Sequence, residues 1–203
     1  MAMIHIVGIG PGKPELMTSA GIILIQNADV IIGSKRQLNE IPHEIPAERK
    51  LLPSNLSELE TFLLGKTGQD IVLLASGDPL MYGIGNWALK KFPKEQLQIV
   101  PGISSIQYLC TRCGIAMNDL YMTSSHGKQP DFEFLLAHPK VAMVTDSKIG
   151  PAEIAKEILQ RKLNKKLIIG ENLSYPDERL HLLKPEQVAD HYEMNVVVIL
   201  DEG

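Results

Sequence analysis

Residues 74–85, Leu-Ala-Ser-Gly-Asp-Pro-Leu-Met-Tyr-Gly-Ile-Gly, join an apolar run at 71–75 to a segment with helical apolar spacing at 85–92. A short apolar run bounded by turn residues is typical of a buried strand. Glycine and proline mark the connection that follows it. The stretch therefore predicts a strand, a tight loop and a helix in succession, which is the repeating unit of an α/β protein.

The same alternation of short apolar runs and longer amphipathic stretches extends along the chain. The other predicted strands are residues 3–7, 30–32, 97–100, 141–145, 167–169 and 196–200. The other predicted helices are residues 15–27, 58–64, 104–113, 151–161 and 185–191. The strands of the first half are nearly all apolar, as is typical of a sheet covered by helices on both faces. The predicted fold class is α/β.

Three local signals refine this outline. Ser57 is followed by Glu60, which is the spacing of a capping box at a helix start. Pro151 suits the first position of a helix, where its missing N–H is not needed. Residues 174–183 predict a turn that leads into a further short strand.

The length and one break in the pattern indicate two domains. A chain of 203 residues is long enough for one large domain or two compact ones. Residues 115–119 resemble a connection, and the strand and helix alternation restarts after them. We therefore expect two α/β domains, residues 1–114 and residues 115–203.

Composition excludes several classes of protein. A formal charge of −4 argues against a general nucleic-acid binder, which usually carries a basic excess. The N-terminus lacks the features of a secretory signal, and no apolar run approaches the roughly 20 residues that span a bilayer. We expect a cytoplasmic protein with no membrane partner. Cys110 and Cys113 alone cannot close a structural zinc site, so no metal is predicted and buried thiols are favoured over a redox pair.

A second glycine loop, residues 8–12, follows the first predicted strand. Such a loop lets a ligand approach the backbone closely. A dinucleotide fingerprint would continue as G-x-G-x-x-G and place an acidic residue after the second strand. Here Pro11 interrupts the glycines, and Asp29 precedes that strand. These departures disfavour NAD, the absence of a Walker A pattern disfavours nucleotide phosphates, and a purely structural turn remains an alternative.

A third loop, residues 101–105, follows the predicted strand at 97–100 and presents two serine hydroxyls at a helix start. Taken in order, the three loops read V-G-I-G-P-G, G-D-P and P-G-I-S-S. With these motifs the sequence resembles the tetrapyrrole (corrin/porphyrin) methylase family. The resemblance covers essentially the whole chain, because residues 28–33 and 170–174 also look like family segments.

The resemblance implies two α/β domains with the cofactor, S-adenosylmethionine, in a cleft between them, and usually a homodimer. It also implies a set of cofactor-binding residues, carried over position by position. These are Pro11, Gly77, Asp78, Met81, Gly83, Ser104 and Ser105, with Thr145, Asp146, Asn172 and Leu173 from the second domain. In the last pair Leu173 departs from the glycine found in related branches of the family.

Residues 33–38, 77–83 and 124–128 look most like one branch of the family, which methylates cobalt-precorrin-7 at C5. The resemblance therefore implies an S-adenosylmethionine-dependent methyltransferase that acts on a tetrapyrrole in cobalamin biosynthesis. The 203 residues leave no space for the decarboxylating domain that some relatives carry. We expect C15 to be left to a separate decarboxylating methyltransferase.

Two side chains are candidates for catalysis. Methyl transfer from a sulfonium depends mainly on alignment, so no nucleophilic triad is needed. His126 is the candidate for accepting a proton or for orienting the substrate, since histidine titrates near neutrality, and an ordinary loop residue is the alternative. Asp78 is the other candidate, although shaping its own Gly-Asp-Pro turn is favoured over proton transfer.

The implied substrate carries acetate and propionate carboxylates, which need positively charged donors. The basic side chains that fit this need are Lys35 and Arg36 after the second strand, with His126 and Lys128 in a later loop. Ordinary surface charge is the alternative for each of them. Tyr82 either packs against the apolar macrocycle or fills the core.

Three other functions remain open on the residues alone. One is a methyltransferase of the same family that acts at another precorrin carbon, or on protein or rRNA. Another is a module that binds S-adenosylmethionine without catalysis, and the last is a dehydrogenase.

Overall fold

The structure is a computed structural model that describes residues 3–66, 68–127 and 129–202. The chain divides into two compact units, Met1–Ser104 and Ser105–Gly203, and each contains a five-stranded sheet. Helices accompany both sheets, which confirms the predicted α/β class. The division falls before the helix Ser105–Arg112, whereas the predicted domain boundary falls after it. The reason is that this helix packs on strands of the second sheet.

The first unit is a parallel sheet with helices on both faces. Its strands, in the spatial order β3-β2-β4-β1-β5, are β1 (Met3–Gly8), β2 (Val30–Gly33), β3 (Glu48–Leu51), β4 (Asp70–Ala75) and β5 (Leu97–Val100). Its helices are α1 (Ser19–Gln26), α2 (Lys35–Asn39), α3 (Leu56–Gly65) and α4 (Gly85–Lys91).

The path of the chain explains why both faces are covered. The connections through α1 and α2 step toward one edge of the sheet, and those through α3 and α4 step back toward the other. Because parallel crossovers are right-handed, this reversal places the two helix pairs on opposite faces. Side chains of β4 alternate accordingly: Leu73 packs in the cluster that holds Leu59 of α3, and Leu74 packs in the cluster that holds Ile25 of α1.

The second unit is a mixed sheet. Its strands, in the spatial order β6-β7-β10-β8-β9, are β6 (Tyr121–Ser124), β7 (Lys140–Val144), β8 (Lys165–Glu171), β9 (Arg179–Leu183) and β10 (Asn195–Asp201). Only β6 and β7 pair in parallel among these described strands. Its helices are α5 (Ser105–Arg112), α6 (Phe132–Leu136) and α7 (Pro151–Gln160).

One face of this sheet packs against α6 and α7, and the other face receives α5. Gly170 makes the close approach of α5 possible. A Cβ at this position would lie 2.8 Å from Leu109 Cδ1 and 2.6 Å from Leu173 Cδ2. Any larger residue at position 170, next to the end of β8, would therefore displace one of these leucines.

Several predicted element boundaries were wrong for local reasons. Residues 15–27 do not form one helix, because a 3-10 turn at Pro14–Leu16 ends before Thr18 caps α1. The proposed capping box at Ser57 is also wrong, because Asn55 accepts the Ser57 N–H and α3 begins at Leu56. Residues 185–191 contain a single 3-10 turn, Pro185–Gln187.

Other features were predicted correctly or missed. Pro151 does occupy the start of α7, and the strand expected within residues 174–183 is β9. The missed elements are β3, β6, α2 and α6, each of only four or five residues. The strands β3 (Glu-Arg-Lys-Leu) and β6 (Tyr-Met-Thr-Ser) are not apolar runs, and a helix of five residues gives too few apolar repeats for its period to be recognised.

Candidate functional site

The three predicted loops meet at the carboxyl edge of the first sheet. They follow β1, β4 and β5, which are neighbours in the order β4-β1-β5. The chain leaves β1 toward α1 on one face and leaves β4 toward α4 on the other. In open α/β sheets a ligand crevice lies where neighbouring strands connect to opposite faces.

Backbone contacts between three glycines join the three loops to one another. We call Gly8, Gly77 and Gly102 the glycine junction. A Cβ on Gly102 would lie 2.1 Å from the carbonyl oxygen of Gly77, and a Cβ on Gly8 would lie 2.6 Å from the same oxygen. Gly77 also donates its N–H to the carbonyl of Gly10 at 2.8 Å. The junction therefore requires glycine because backbone packs directly on backbone.

Asp78 ties two of the loops together. One carboxylate oxygen accepts the N–H of Leu80 at 2.8 Å, and the other accepts the N–H of Gly102 at 3.3 Å. These bonds are those of a residue that shapes its own turn, which was the favoured interpretation. A catalytic role for Asp78 remains a prediction.

Several N–H groups of the loops bond within the protein. Besides Gly77, Leu80 and Gly102, the N–H of Met81 donates to Asp78 O and that of Gly85 to Pro79 O. A phosphate cradle needs such groups pointing at the ligand. These five N–H groups are therefore not available to a nucleotide phosphate.

Helix α2 anchors the start of the second loop. Arg36 Nη2 and Gln37 Nε2 donate to Ser76 Oγ at 2.9 and 3.0 Å. Gln37 is itself fixed by a reciprocal capping box with Ser34. The structure thus brings the predicted substrate residue Arg36 to the carboxyl edge, with the exposed Lys35 beside it on the helix. The Ser34 to Gln37 spacing was a readable signal for α2 that the sequence analysis missed.

The other predicted residues of the first unit lie along the same loops. Pro11 and Ser104 are buried, and Met81 is half-buried. Gly83 is crowded by the carbonyl of Pro79, 2.6 Å from where its Cβ would lie. Tyr82 has a φ of 57° and is 47% exposed, so its ring is not a core residue. Ser105 is the first residue of α5 and groups with the second unit.

A corresponding edge in the second sheet collects polar side chains. The carboxyl ends of β6, β7 and β8 lie there with the start of β10. Thr145 Oγ1 lies 2.8 Å from both the carbonyl and the Oδ1 of Asn195. Asp146 Oδ1 accepts the N–H groups of Ile149 and Lys148 at 2.8 Å, and these two bonds lower the pKa of Asp146. The charges of His126 and Lys148 lower it further.

His126 lies at this edge beyond the end of β6. Its Nδ1 is 3.1 Å from Ser124 Oγ, and its backbone N–H donates to the same oxygen at 3.2 Å. The ring is exposed, whereas Ser124 is buried. Lys128, the other predicted substrate residue of this loop, lies outside the described residues.

The side chains of Asp177 and Glu178, which were not predicted to belong to the site, hold the loop after β8. Asn172 has a φ of 46°, and its Nδ2 donates to Asp177 at 2.6 Å. Leu173 is 4% exposed and packs against Gly170. Glu178 accepts the N–H of Ser174 at 2.6 Å. The two predicted cofactor residues here, Asn172 and Leu173, are therefore engaged with their own unit.

Glu178 also joins this loop to α5 through Arg112 and Tyr108. Burial acts to raise its pKa, but the bonds from Ser174, Tyr108 and Arg112 outweigh burial, so the pKa of Glu178 lies below its ordinary value. No sequence motif marks this residue, because its partner Arg112 is far away along the chain.

Neither the two cysteines nor the His, Asp and Glu side chains of the described residues form a further site. Burial raises the pKa of both the Cys110 and Cys113 thiols, which keeps them protonated and unreactive. Among the described residues no group of three His, Cys, Asp or Glu is placed to hold a metal ion. No helix in the described ranges has the length and apolar character to cross a membrane.

Comparison with known proteins identifies the family. The profile of the Tetrapyrrole (Corrin/Porphyrin) Methylases matches residues 3–189. The chain is 47% identical to a cobalt-precorrin-7 C(5)-methyltransferase of Salmonella typhimurium, over 98% of this chain and 100% of the relative. It is 26% identical to a decarboxylating precorrin-6Y C(5,15)-methyltransferase of a Sinorhizobium species, over 95% of this chain and 46% of the relative.

A solved structure agrees in fold. The uroporphyrin-III C-methyl transferase of Thermus thermophilus, complexed with S-adenosylhomocysteine, superposes with a TM-score of 0.78 at 21% identity. The match covers 98% of this chain and 97% of that one. The chain therefore belongs to the tetrapyrrole (corrin/porphyrin) methylases.

Proposed function

We propose that the protein is an S-adenosylmethionine-dependent methyltransferase of cobalamin biosynthesis that methylates cobalt-precorrin-7 at C5. The observation that carries this proposal is the 47% identity, over the full length of the relative, to a cobalt-precorrin-7 C(5)-methyltransferase. Other family members act on other tetrapyrroles, so membership alone would leave the carbon open.

The first unit fits a cofactor without phosphate groups. Five of its loop N–H groups are bonded to protein oxygens, whereas Met81 and the exposed Tyr82 present apolar surface beside peptide groups. An adenosine needs apolar packing with a few backbone contacts and no anion cradle. Pro11, Gly77, Asp78, Met81, Gly83 and Ser104 are the proposed cofactor residues of this unit. Ser105, Thr145, Asp146, Asn172 and Leu173 are those proposed for the second unit.

The chain's own contribution is positioning. S-adenosylmethionine supplies an activated methyl group, and alignment of two reactants can lower a barrier by about 7–11 kcal/mol. The bonds of Asp78 and Ser76 tie the second loop to the third loop and to α2, which limits the conformations open to it. Lys35, Arg36, Tyr82, His126 and Lys128 are proposed to hold the substrate.

The decisive experiment offers cobalt-precorrin-7 and S-adenosylmethionine with a deuterated methyl group to the purified protein. We expect one labelled methyl group in the product by mass spectrometry, at C5 by NMR, and no loss of carbon dioxide. A label at another carbon would overturn the C5 assignment. Failure to bind S-adenosylhomocysteine in calorimetry, with thermal stabilisation by NAD instead, would overturn the methyltransferase assignment itself.

Three further features belong to the same proposal. The protein forms a homodimer, resides in the cytoplasm and leaves C15 to a separate decarboxylating enzyme. The Salmonella typhimurium relative, matched over its full length, is named for C5 alone, whereas the Sinorhizobium relative is named for both C5 and C15. Sedimentation at micromolar concentration tests the dimer. A product with two added methyl groups would exclude the separate enzyme.

A further inference from the structure

We propose that His126 donates a hydrogen bond from Nε2 to a substrate carboxylate and does not accept a proton, because Ser124 fixes the ring tautomer. The ligand in this inference rests on the proposed function. The tautomer itself rests only on the contacts of Ser124.

The Ser124 hydroxyl has one proton to donate and accepts through its lone pairs. Its oxygen accepts the backbone N–H of His126 at 3.2 Å and lies 3.1 Å from Nδ1 of the same residue. Ser124 is 2% exposed. In the ranges that the structure describes, no other acceptor lies within bonding distance of this hydroxyl. Since a buried hydroxyl without an acceptor is unfavourable, the proton points at Nδ1.

This contact decides which ring nitrogen carries the proton. A neutral imidazole has one N–H, and here Nδ1 is the acceptor, so the proton is on Nε2. A neutral His126 then has no vacant nitrogen facing outward with which to take a proton from the substrate. If the ring becomes charged, Nε2 still carries a proton. In both states the outer nitrogen is a donor.

The surroundings of His126 leave this donor available. The ring is exposed, and Nε2 makes no hydrogen bond to any residue in the described part of the chain. The nearby Asp146 accepts two backbone N–H groups through Oδ1 and makes no hydrogen bond to the ring. An outward N–H suits a carboxylate, the group that the proposed substrate carries in several copies.

NMR of the ¹⁵N-histidine-labelled protein at about pH 8 tests the tautomer. We expect a pyridine-type shift for Nδ1 and a pyrrole-type shift for Nε2 in the signal that His126→Gln removes. In Ser124→Ala the Nδ1 shift should move toward an average of the two tautomers, while the signals of the other histidines stay in place and show that the fold is intact. A pyrrole-type Nδ1 in the wild type would overturn the inference.

Steady-state kinetics with cobalt-precorrin-7 tests the role. Glutamine keeps an N–H donor near the Nε2 position but is not a base. We expect His126→Ala to raise KM about tenfold, with the loss in KM and not in kcat, and His126→Gln to recover part of that loss, with a KM between those of the wild type and the alanine variant. An equal loss of kcat of a hundredfold or more in both variants would identify a base and overturn the inference. Absence of turnover in the wild type would instead contradict the proposed function and leave the tautomer result standing.

Discussion

The carboxyl edges of the two sheets are held together by different kinds of contact. In the first unit, the edge is held by backbone packed on backbone at the glycine junction. In the second unit, the corresponding edge is held by side chains such as Ser124, Thr145 and Glu178. Backbone contact tolerates only glycine, whereas a side-chain hydrogen bond can be replaced by another acceptor of similar length.

This difference sets how each edge responds to substitution. At the glycine junction an added Cβ would overlap backbone atoms, so the neighbouring loop must shift to make room for it. At the second edge one lost bond leaves one buried group without a partner, which is a smaller and more local cost. Three substitutions, taken from the largest expected effect to the smallest, test this contrast.

Gly102→Ala should have the largest effect. Its Cβ would lie 2.1 Å from the carbonyl oxygen of Gly77 and 2.8 Å from the carbonyl carbon of Gly8. We expect the free energy of unfolding to fall by about 3 kcal/mol or more, or the protein to be recovered unfolded. Urea unfolding followed by circular dichroism measures the loss.

Gly65→Ala is the matched control for this substitution. Gly65 ends α3, and an added Cβ meets nothing within 4 Å. Because alanine favours helix over glycine, the variant should be as stable as wild type or more stable by up to about 1 kcal/mol. If Gly102→Ala proved as stable as this control, the contact between the loops would not be what makes glycine necessary.

The glycine junction also shows what a sequence can reveal. Gly8, Gly77 and Gly102 each stand beside a strand end, so the pattern predicted three loops at one sheet edge without any knowledge of distances. What the pattern did not predict is that the three glycines pack on one another. The positions of the glycines in the sequence indicate that a small residue is required there, but they do not indicate which atoms contact it.

Glu178→Leu should have an intermediate effect. The change removes the acceptor of the Ser174 N–H, and Ser174 is 1% exposed. We expect a loss of about 1–3 kcal/mol in the free energy of unfolding, because the buried N–H of Ser174 then loses this acceptor. Glu178→Gln keeps an oxygen acceptor and should lose less. Urea unfolding of both variants gives the comparison.

Arg112→Ala separates the ion pair of Glu178 from its other bonds. Arg112 is 51% exposed at its side chain, and such ion pairs contribute about 0–1 kcal/mol. The variant should therefore stay within about 1 kcal/mol of wild type. A loss as large as that of Glu178→Leu would mean that the ion pair, and not the backbone bond, holds the loop after β8.

The second edge was less predictable because its contacts join distant residues. Thr145 meets Asn195, and Glu171 meets both His181 and the N–H of Glu193. His126 and Asp146 could be named from family resemblance, but their bonding partners could not. A hydrogen bond between strands depends on register and on which strands are neighbours, and neither follows from local apolar spacing.

Glu171→Gln should have the smallest effect, and that effect should disappear in acid. Burial acts to raise the pKa of Glu171, but the N–H of Glu193, the bond to His181 and the charge of Arg179 outweigh burial and lower it. A carboxyl with a lowered pKa stabilises the fold above its unfolded value of 4.5, and this contribution is lost as the pH falls through the folded value.

The difference in unfolding free energy between wild type and Glu171→Gln should therefore shrink as the pH falls below about 4.5. Urea unfolding at several pH values measures it, with the exposed Glu186→Gln as the control that should follow wild type throughout. A difference that stayed constant, or grew, on acidification would show that His181 and Glu193 do not stabilise the charged form. Glu171 would then be held in place by packing alone. In that case the second edge, like the glycine junction, would depend on packing more than on hydrogen bonds.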